Sequence, residues 1–424
     1  METPEKRATI ADWLEPDRPG AEETTRGAGR AAWGAAILFY LLVALEVIIM
    51  VTPFTVYFYS VYAPVLTWLE SSRWTAWLTA FFLSHITYTG DPLLIAFAVL
   101  GPILVAVGLA IFLVAAAQVY GAKLLRRGVV SGGLYARVRH PQYLGLVIAG
   151  LGLLFYWPRF FILVAYVSML FVYYLLARNE EARMLRKFGE GYRTYLARTA
   201  MFLPGSPGAR FYAWVTRGAP ARGMRLLGLY AAVLALAVGT AFGLRAYTLA
   251  RVPVLYGRDL VTVSTFPATR DGMAGLIRTA LQSPEVVPYL VKFHGGAGHT
   301  LVAYIVPQDY MMQHLLADLG EHEAHHGNGE QGGFRAILGH LGEMYLLKPL
   351  RQLRQGEWSS EKRIIFAEPR DASGGVVPAE RALSLDVMRI PLFFVDLDAA
   401  AGKVAMAMET ARRHTWGDIP VPAF

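Results

Sequence analysis

Two polar segments that flank a short apolar hairpin carry the side chains best suited to bind a small charged molecule. The first, residues 131–145, reads SGGLYARVRHPQYLG, and the second, residues 178–204, begins RNEEARMLRKFGEGY. Charged and imidazole side chains are costly to place at the end of a membrane segment, so they mark a functional site by default. This placement is typical of a membrane enzyme.

The first segment brings a cation, an imidazole and two aromatic rings together. Arg139 and His140 precede Pro141, which fits the first turn of a helix because its missing N–H would have no partner there. Backbone N–H groups at such a helix start suit a carboxylate, such as that of a methionine moiety. Tyr135 and Tyr143 offer ring faces that stack on a nucleobase or attract a sulfonium. These residue types indicate a ligand site.

The second segment places an acidic pair at the start of a predicted helix. Glu181, Phe188 and Tyr192 recur at helical spacing, which predicts an amphipathic helix that lies on the membrane. The helix dipole favours Glu180 and Glu181 at such a start, and this alone would explain them. The alternative is that one of them contacts a ligand.

Together, the two segments resemble the signature of the isoprenylcysteine carboxyl methyltransferase and phospholipid methyltransferase group of integral membrane enzymes. The pattern G-x-Y-x-x-x-R-H-P-x-Y-x-G runs from Gly133 to Gly145, and the pair of glutamates is followed by F-G-x-x-Y-x-x-Y. The resemblance covers roughly residues 93–205. It implies an S-adenosylmethionine-dependent methyltransferase that acts on a lipophilic acceptor at the cytoplasmic face.

The resemblance also implies roles for single residues. S-adenosylmethionine would be held by Tyr135, His140, Pro141, Tyr143, Gly145 and Glu181. Methyl transfer needs alignment of donor and acceptor and exclusion of water, with no metal or triad. A carboxylate acceptor would need only a cation to orient it, for which Arg139 and Arg178 are candidates. A lipid amine would have to lose a proton, for which Glu180 or His140 is the candidate base.

The apolar runs that would position these segments predict a polytopic bundle. A bilayer crossing needs roughly 20 apolar residues, and the candidate spans are 33–60, 93–119, 143–157, 160–177 and 226–248. The third and fourth spans predict a tight helical hairpin. Segment 64–84 carries charge at its centre and is interpreted as an interfacial helix, with a sixth span as the alternative. The predicted fold class is an α-helical membrane bundle of about five transmembrane helices at residues 31–249, after a polar tail at residues 1–30.

Loop charges orient this bundle. Residues 120–142 carry five Lys or Arg and no acid, and residues 178–225 are also basic, so both are predicted to be cytoplasmic. Counting spans then places the amino terminus in the cytoplasm and residues 250–424 on the other side. We therefore expect an integral protein of a bacterial inner membrane. The net charge of +8 is interpreted as lysines and arginines of the cytoplasmic face that contact anionic membrane lipid. Nucleic acid is not expected as a partner.

Residues 250–424 lie outside the resemblance and alternate between β-type runs and helix-like stretches. Strands are predicted at 260–266, 289–293, 300–306, 363–366 and 391–395, and helices at 272–283, 308–319, 333–354 and 400–414. The alternation predicts a soluble α/β domain. This segment carries no phosphate loop or nucleophile elbow, which favours a module that presents substrate or contacts protein partners.

A histidine-rich stretch in this domain is a candidate metal site. His322 and His326 are spaced i, i+4, which would place two imidazoles on one helix face. Gly327 and Gly329 follow directly and indicate a loop, and His-rich loops are frequently only solvated. The chain has no cysteine, which excludes disulfides, thiolate metal sites and cysteine nucleophiles. No metal is expected, with the two histidines kept as candidate ligands.

Two other functions stay open. The chain could be a non-catalytic membrane subunit that anchors residues 250–424 in a larger complex, because this segment, about two-fifths of the chain, lies outside the resemblance. It could also be a reductase of the sterol type, which shares a related bundle by analogy only. The acceptor is left open between a prenylated peptide, a phospholipid amine, a quinone and another isoprenoid.

Overall fold

The long helices of the described residues precede the sheet. The computed structural model describes residues 20–60, 63–72, 74–83, 91–125, 130–203, 222–293, 299–308, 361–371 and 373–410. Of these described residues, those up to Thr52 form one compact unit and those from Pro53 onward form a second. The helices of the amino-terminal half are α1 (Gly20–Tyr59), α2 (Ala63–Glu70), α3 (Pro92–Leu124), α4 (Pro141–Tyr156), α5 (Phe160–Arg198) and α6 (Arg222–Arg251).

Four long helices in the described residues are apolar enough to cross a membrane. They are Tyr40–Tyr59 within α1, α3, α5 and Gly223–Arg251 within α6. The remaining predicted span corresponds to α4, whose 16 residues extend about 24 Å, less than the roughly 30 Å of the hydrocarbon core. The prediction of a membrane bundle followed by an α/β domain is confirmed.

Helices α3 and α4 are in backbone contact, and this contact holds α4 beside α3. A Cβ atom added to Gly108 of α3 would lie 2.3 Å from the backbone nitrogen of Ala149 in α4. One added to Gly145 of α4 would lie 2.6 Å from the backbone nitrogen of Phe112 in α3. Only glycine allows helices to approach this closely. The first polar segment, which leads into Pro141, is thereby held against α3.

Helix α5 joins the fourth predicted span to the second polar segment. The sequence predicts a span at 160–177 followed by a separate helix on the membrane surface, whereas α5 continues from that span through Glu180 and Glu181 as far as Gly189. Its backbone leaves helical geometry at Gly189, where φ is 53° and ψ is −128°, a conformation that favours glycine. Because the helix continues past the apolar run, Glu180 and Glu181 extend from the same rod as the span.

The prediction of one helix over 64–84 holds only as far as Glu70 and is wrong beyond it. After α2 ends at Glu70, the chain forms a short 3₁₀ turn at Ala76–Thr79. It is then held by backbone hydrogen bonds, from Phe82 N to Pro158 O at 2.8 Å and from Phe160 N to Ala80 O at 3.2 Å. These bonds pair the segment with the turn between α4 and α5, which a continuous helix could not do.

The carboxy-terminal part contains one six-stranded sheet. Its strands are β1 (Val254–Tyr256), β2 (Leu260–Ser264), β3 (Leu301–Pro307), β4 (Glu361–Asp371), β5 (Val387–Asp398) and β6 (Lys403–Glu409). They lie side by side in chain order, with β2 and β3 parallel and all other neighbours antiparallel. The connection between β2 and β3 carries α7 (Arg270–Gln282) and α8 (Val287–Phe293).

Two secondary-structure predictions in this domain are wrong. Residues 289–293 were expected in a strand but belong to α8, where Phe293 stacks 6.0 Å from Phe393 of the sheet. Residues 400–414 were expected in a helix, but Lys403–Glu409 pairs with β5 as the edge strand β6. Ala and Met in that strand are helix formers, and pairing with β5 overrides this preference. Apart from Gln308, the predicted helices at 308–319 and 333–354 lie outside the described residues.

The sheet buries apolar side chains on both faces. One face packs on Met273 and Ile277 of α7. The other packs on Leu249 and Val252, at the end of α6, and on Leu383. The domain therefore rests directly on the last helix of the bundle.

Candidate active site

The two polar segments meet where α4 begins and where α5 leaves its apolar run. Backbone hydrogen bonds join them: Arg139 N donates to Ala200 O at 2.9 Å, and His140 N donates to Met201 O at 3.2 Å. His140 is the N-cap residue of α4, and Pro141 occupies its first position, as expected for a proline that lacks an N–H. The residues before α4 are thus fixed against those after α5.

His140 lies between the two glutamates. Its Nδ1 is 3.3 Å from Glu180 Oε2, and its Nε2 is 3.5 Å from Glu181 Oε1. Burial lowers the pKa of His140, but the hydrogen bonds and negative charges of the two glutamates outweigh burial, so the pKa is raised above its ordinary value. A protonated imidazole has a donor on each nitrogen and can serve both carboxylates.

Arg139 ties Glu181 to the end of α5. Its Nε donates to Glu181 Oε1 at 2.7 Å, and its Nη1 donates to Leu196 O at 3.1 Å and to Thr199 O. The Glu181 side chain is 6% exposed, and Arg178 Nη1 lies 3.9 Å from its other oxygen. Glu181 is therefore buried and paired with cations, whereas the Arg178 side chain is 44% exposed.

Glu180 is the more accessible acid and is oriented by an aromatic stack. The Tyr143 hydroxyl donates to Glu180 Oε1 at 2.8 Å, and the Glu180 side chain is 32% exposed. The ring of Tyr143 lies 5.5 Å from that of His140 at an interplanar angle of 8° and 4.9 Å from that of Tyr173 at 25°. The site therefore combines a partly exposed carboxylate with a run of parallel rings.

Other residues predicted for this site make contacts within the fold. The Tyr135 hydroxyl donates to Ala115 O at 3.4 Å, and the Tyr135 carbonyl accepts from the Tyr195 hydroxyl at 2.7 Å. Gly145 lies in the contact between α3 and α4. The roles of Tyr135, Pro141 and Gly145 in cofactor binding stay predictions.

Two aromatic residues belong to the site that were not predicted from the sequence. Tyr173 stacks on Tyr143, and the ring of Phe202 lies 5.9 Å from that of His140. Tyr173 stands seven residues before Glu180, a spacing that returns to the same helix face, so this signal was present in the sequence. Phe202 follows the end of α5, and no periodic pattern points to it.

The described residues provide no set of ligands for a bound metal ion. No group of three or more His, Asp or Glu side chains there is arranged to hold an ion. The candidate ligands His322 and His326 lie outside the described residues.

The geometry agrees with the comparison to known families. Residues 93–191 match the family model for phospholipid methyltransferases. This match spans α3, α4 and most of α5 and includes Arg139, His140, Tyr143, Glu180 and Glu181. It confirms the resemblance to the integral membrane methyltransferases. It covers less than a quarter of the 424 residues. No curated protein and no solved structure matches the chain.

Proposed function

We propose that this chain is an integral membrane methyltransferase that uses S-adenosylmethionine to methylate a lipophilic acceptor at the cytoplasmic face. The observation that carries the proposal is the convergence of Arg139, His140, Tyr143, Glu180 and Glu181 at the end of apolar helices. The family match over the same helices and the four apolar helices support a membrane methyltransferase.

The side chains present fit the chemical groups of the proposed donor. S-adenosylmethionine carries a carboxylate, an ammonium group, ribose hydroxyls and a flat base. Arg178 is partly exposed and can pair with a carboxylate, and Glu180 can accept hydrogen bonds from an ammonium group or hydroxyls. The ring of Tyr143 offers a face for stacking or for attraction to a positive sulfur.

The chemistry of the reaction divides between the donor and the chain. When bound, S-adenosylmethionine supplies a methyl group on a positively charged sulfur, and the sulfur leaves as a neutral thioether when the acceptor attacks the methyl carbon in line. The chain orients the partners: Tyr143 and His140 fix the Glu180 carboxylate, and Arg139 fixes Glu181. For a carboxylate acceptor, Arg178 would supply the orienting cation. For an amine acceptor, Glu180 would take up the proton.

The orientation of the site follows from charge and apolar surface. The basic segments before α4 and after α5 favour the cytoplasmic side for the cluster, by the positive-inside rule. The neighbouring helices expose large apolar side chains, Val172 and Leu175 of α5 among them. An acceptor with an oily tail can therefore approach from the lipid phase while the donor arrives from the cytoplasm.

The experiment is methyl transfer by the purified full chain in native lipid. The protein is incubated with S-adenosylmethionine that carries a labelled methyl group, and the lipids are then extracted. We expect label in the organic phase with the wild type and a loss of about 10-fold or more with Glu180→Gln. Arg193→Gln is the matched control, because its side chain is 69% exposed on the same helix. No labelled lipid with any lipid extract, together with no donor binding, would contradict the proposal.

A further inference from the structure

An open pocket lies between helix α7 and the hairpin of strands β1 and β2. Its volume is about 340 Å³, within the range of roughly 300 to 1,000 Å³ that small-molecule sites occupy. Its lining comes entirely from residues 255–282 of the sheet domain. It is therefore separate from the cluster around His140 and has the size of a site for an organic ligand.

One wall of the pocket is a single face of the hairpin. Leu255 of β1 pairs directly with Thr262 of β2, and Leu260 stands two residues before Thr262, so all three side chains point to the same side of the sheet. Gly257 lines the pocket two residues after Leu255. Because Gly257 has no side chain, this wall is left open at the end of β1.

The opposite wall is one stripe of α7. Ala274, Arg278 and Leu281 line the pocket at the spacing i, i+4, i+7, which keeps them on one side of a helix. Ile277 lines it as well and is 7% exposed. The small side chain of Ala274 leaves space that a larger apolar residue would fill.

The chemistry of the lining suits an amphiphile with an acidic head. Leu255, Leu260 and Leu281 are half-buried, and each methylene group that a ligand buries on such a surface strengthens binding about 4-fold. Arg278 and Gln282 add a guanidinium and an amide at the spacing i, i+4, so they are neighbours on the helix. No Asp or Glu is found among the described residues that line the pocket. A guanidinium binds a carboxylate through two parallel hydrogen bonds.

The pocket follows directly after the last apolar helix of the bundle. Strand β1 begins at Val254, three residues after α6 ends at Arg251. Leu255 is four residues from Arg251, so its Cα atom lies within about 14 Å of the helix end. Since α6 is apolar enough to cross a membrane, an amphiphile that leaves the bilayer beside it has a short path to the pocket. The volume lies at the lower end of the range for ligand sites, which suits one apolar chain better than the two chains of a phospholipid.

We propose that this pocket binds a free fatty acid, with the chain along the leucines and the carboxylate on Arg278. The site does not depend on the methyl transfer proposed above, because residues 255–282 lie outside the family match at residues 93–191. It gives the sheet domain a ligand of its own.

The test is photolabelling of the purified full chain in nanodiscs of zwitterionic lipid. The probe is dodecanoic acid with a diazirine at the end of its chain, and mass spectrometry locates the labelled peptides. We expect saturable labelling of residues 255–282 that an excess of unlabelled dodecanoate abolishes. Labelling of α3 by probe dissolved in the lipid should instead rise in proportion to the probe concentration, which separates the pocket from general partitioning.

A variant that fills the pocket tests the place of the chain. Ala274→Leu should lower the saturable labelling about 5-fold or more, because the ligand would have to enter an overpacked space. Gly275→Ala is the matched control on the same helix, since Gly275 does not line the pocket and a Cβ atom there would have nothing within 4 Å. Thermal unfolding checks that both variants are folded.

A second variant tests the place of the carboxylate and does not depend on the folding of Ala274→Leu. Arg278→Gln should raise the half-saturation concentration of the acid probe about 3- to 10-fold, through the loss of a hydrogen bond to a charged group. Labelling by the matching dodecanol probe, which has no carboxylate, should not change. Arg270→Gln, on an exposed arginine at the start of the same helix, should behave as the wild type does with both probes.

Three results would overturn the site. The first is labelling of residues 255–282 that does not saturate, or that is equal in Ala274→Leu and Gly275→Ala. The second is an equal loss of both probes in Arg278→Gln, which would remove the carboxylate from that residue. The third is competition by phosphatidylglycerol at lower concentration than dodecanoate, which would assign the pocket to a membrane phospholipid.

Discussion

Replacing Glu181 by Gln should destabilise the bundle far more than the same change at an exposed glutamate. Glu181 is 6% exposed in its side chain and pairs with Arg139 at 2.7 Å and with His140 at 3.5 Å. Removing its charge takes this carboxylate from Arg139 and leaves His140 with Glu180 alone. Breaking a buried pair in this way costs about 3 to 5 kcal/mol. Arg139 keeps two carbonyl acceptors, so we expect the lower end, about 3 kcal/mol.

The assay is thermal unfolding of the purified chain, followed by circular dichroism in detergent. An unfolding entropy of about 2.1 cal/mol/K per residue converts 3 kcal/mol into a drop in Tm of about 3 °C if the whole chain unfolds together, and about 6 °C if the bundle unfolds alone. Glu190→Gln is the matched control, since Glu190 lies on the same helix, is 80% exposed and pairs with an exposed arginine. Glu190→Gln should lose less than about 1 kcal/mol of unfolding free energy. Equal shifts for the two variants would refute the reasoning about the cluster.

Three further predictions follow from the same geometry. Because the glutamates raise the pKa of His140, its contribution to stability is full below about pH 6.5 and is lost as the pH rises through the raised pKa. The Tm difference between wild type and His140→Gln should therefore shrink between about pH 5.5 and about pH 9. A Tm difference that does not change with pH would contradict this. Gly108→Leu should prevent stable folding, because even a Cβ atom would lie 2.3 Å from the backbone of Ala149. Gly121→Ala is the control, since a Cβ atom there would have nothing within 4 Å. Size-exclusion chromatography should show a folded chain for Gly121→Ala and not for Gly108→Leu. Tyr143→Phe should weaken binding of S-adenosylmethionine about 2- to 10-fold by calorimetry, the loss of one hydrogen bond to Glu180, and unchanged affinity would remove Tyr143 from the site.

The cluster at the end of α4 and α5 was accessible to sequence reasoning because charged residues stood out against apolar runs. Arg139, His140, Glu180 and Glu181 were all named from the sequence, and the structure brings them within 3.5 Å of one another in pairs. Tyr173 was overlooked because a tyrosine inside an apolar run looks like a packing residue.

Other features depend on contacts that local pattern does not encode. The edge strand β6 has the composition of a helix and becomes a strand only through pairing with β5. Similarly, the run at 289–293 has strand-like residues, and its helical form places Phe293 on the sheet. The burial of Arg159, Arg245 and Arg389 could not be predicted for the same reason, because it depends on packing between segments that are far apart in sequence.

The central claim is that the two polar segments together hold a methyl donor. Isothermal titration of S-adenosylmethionine into the wild-type chain in nanodiscs, with Glu180→Gln and the control Arg193→Gln in parallel, tests it most directly. Saturable binding at one site, weakened about 10-fold or more by Glu180→Gln and unchanged by Arg193→Gln, is the result that the geometry predicts. Absence of binding to a folded wild-type chain, or equal binding by Glu180→Gln, would contradict it.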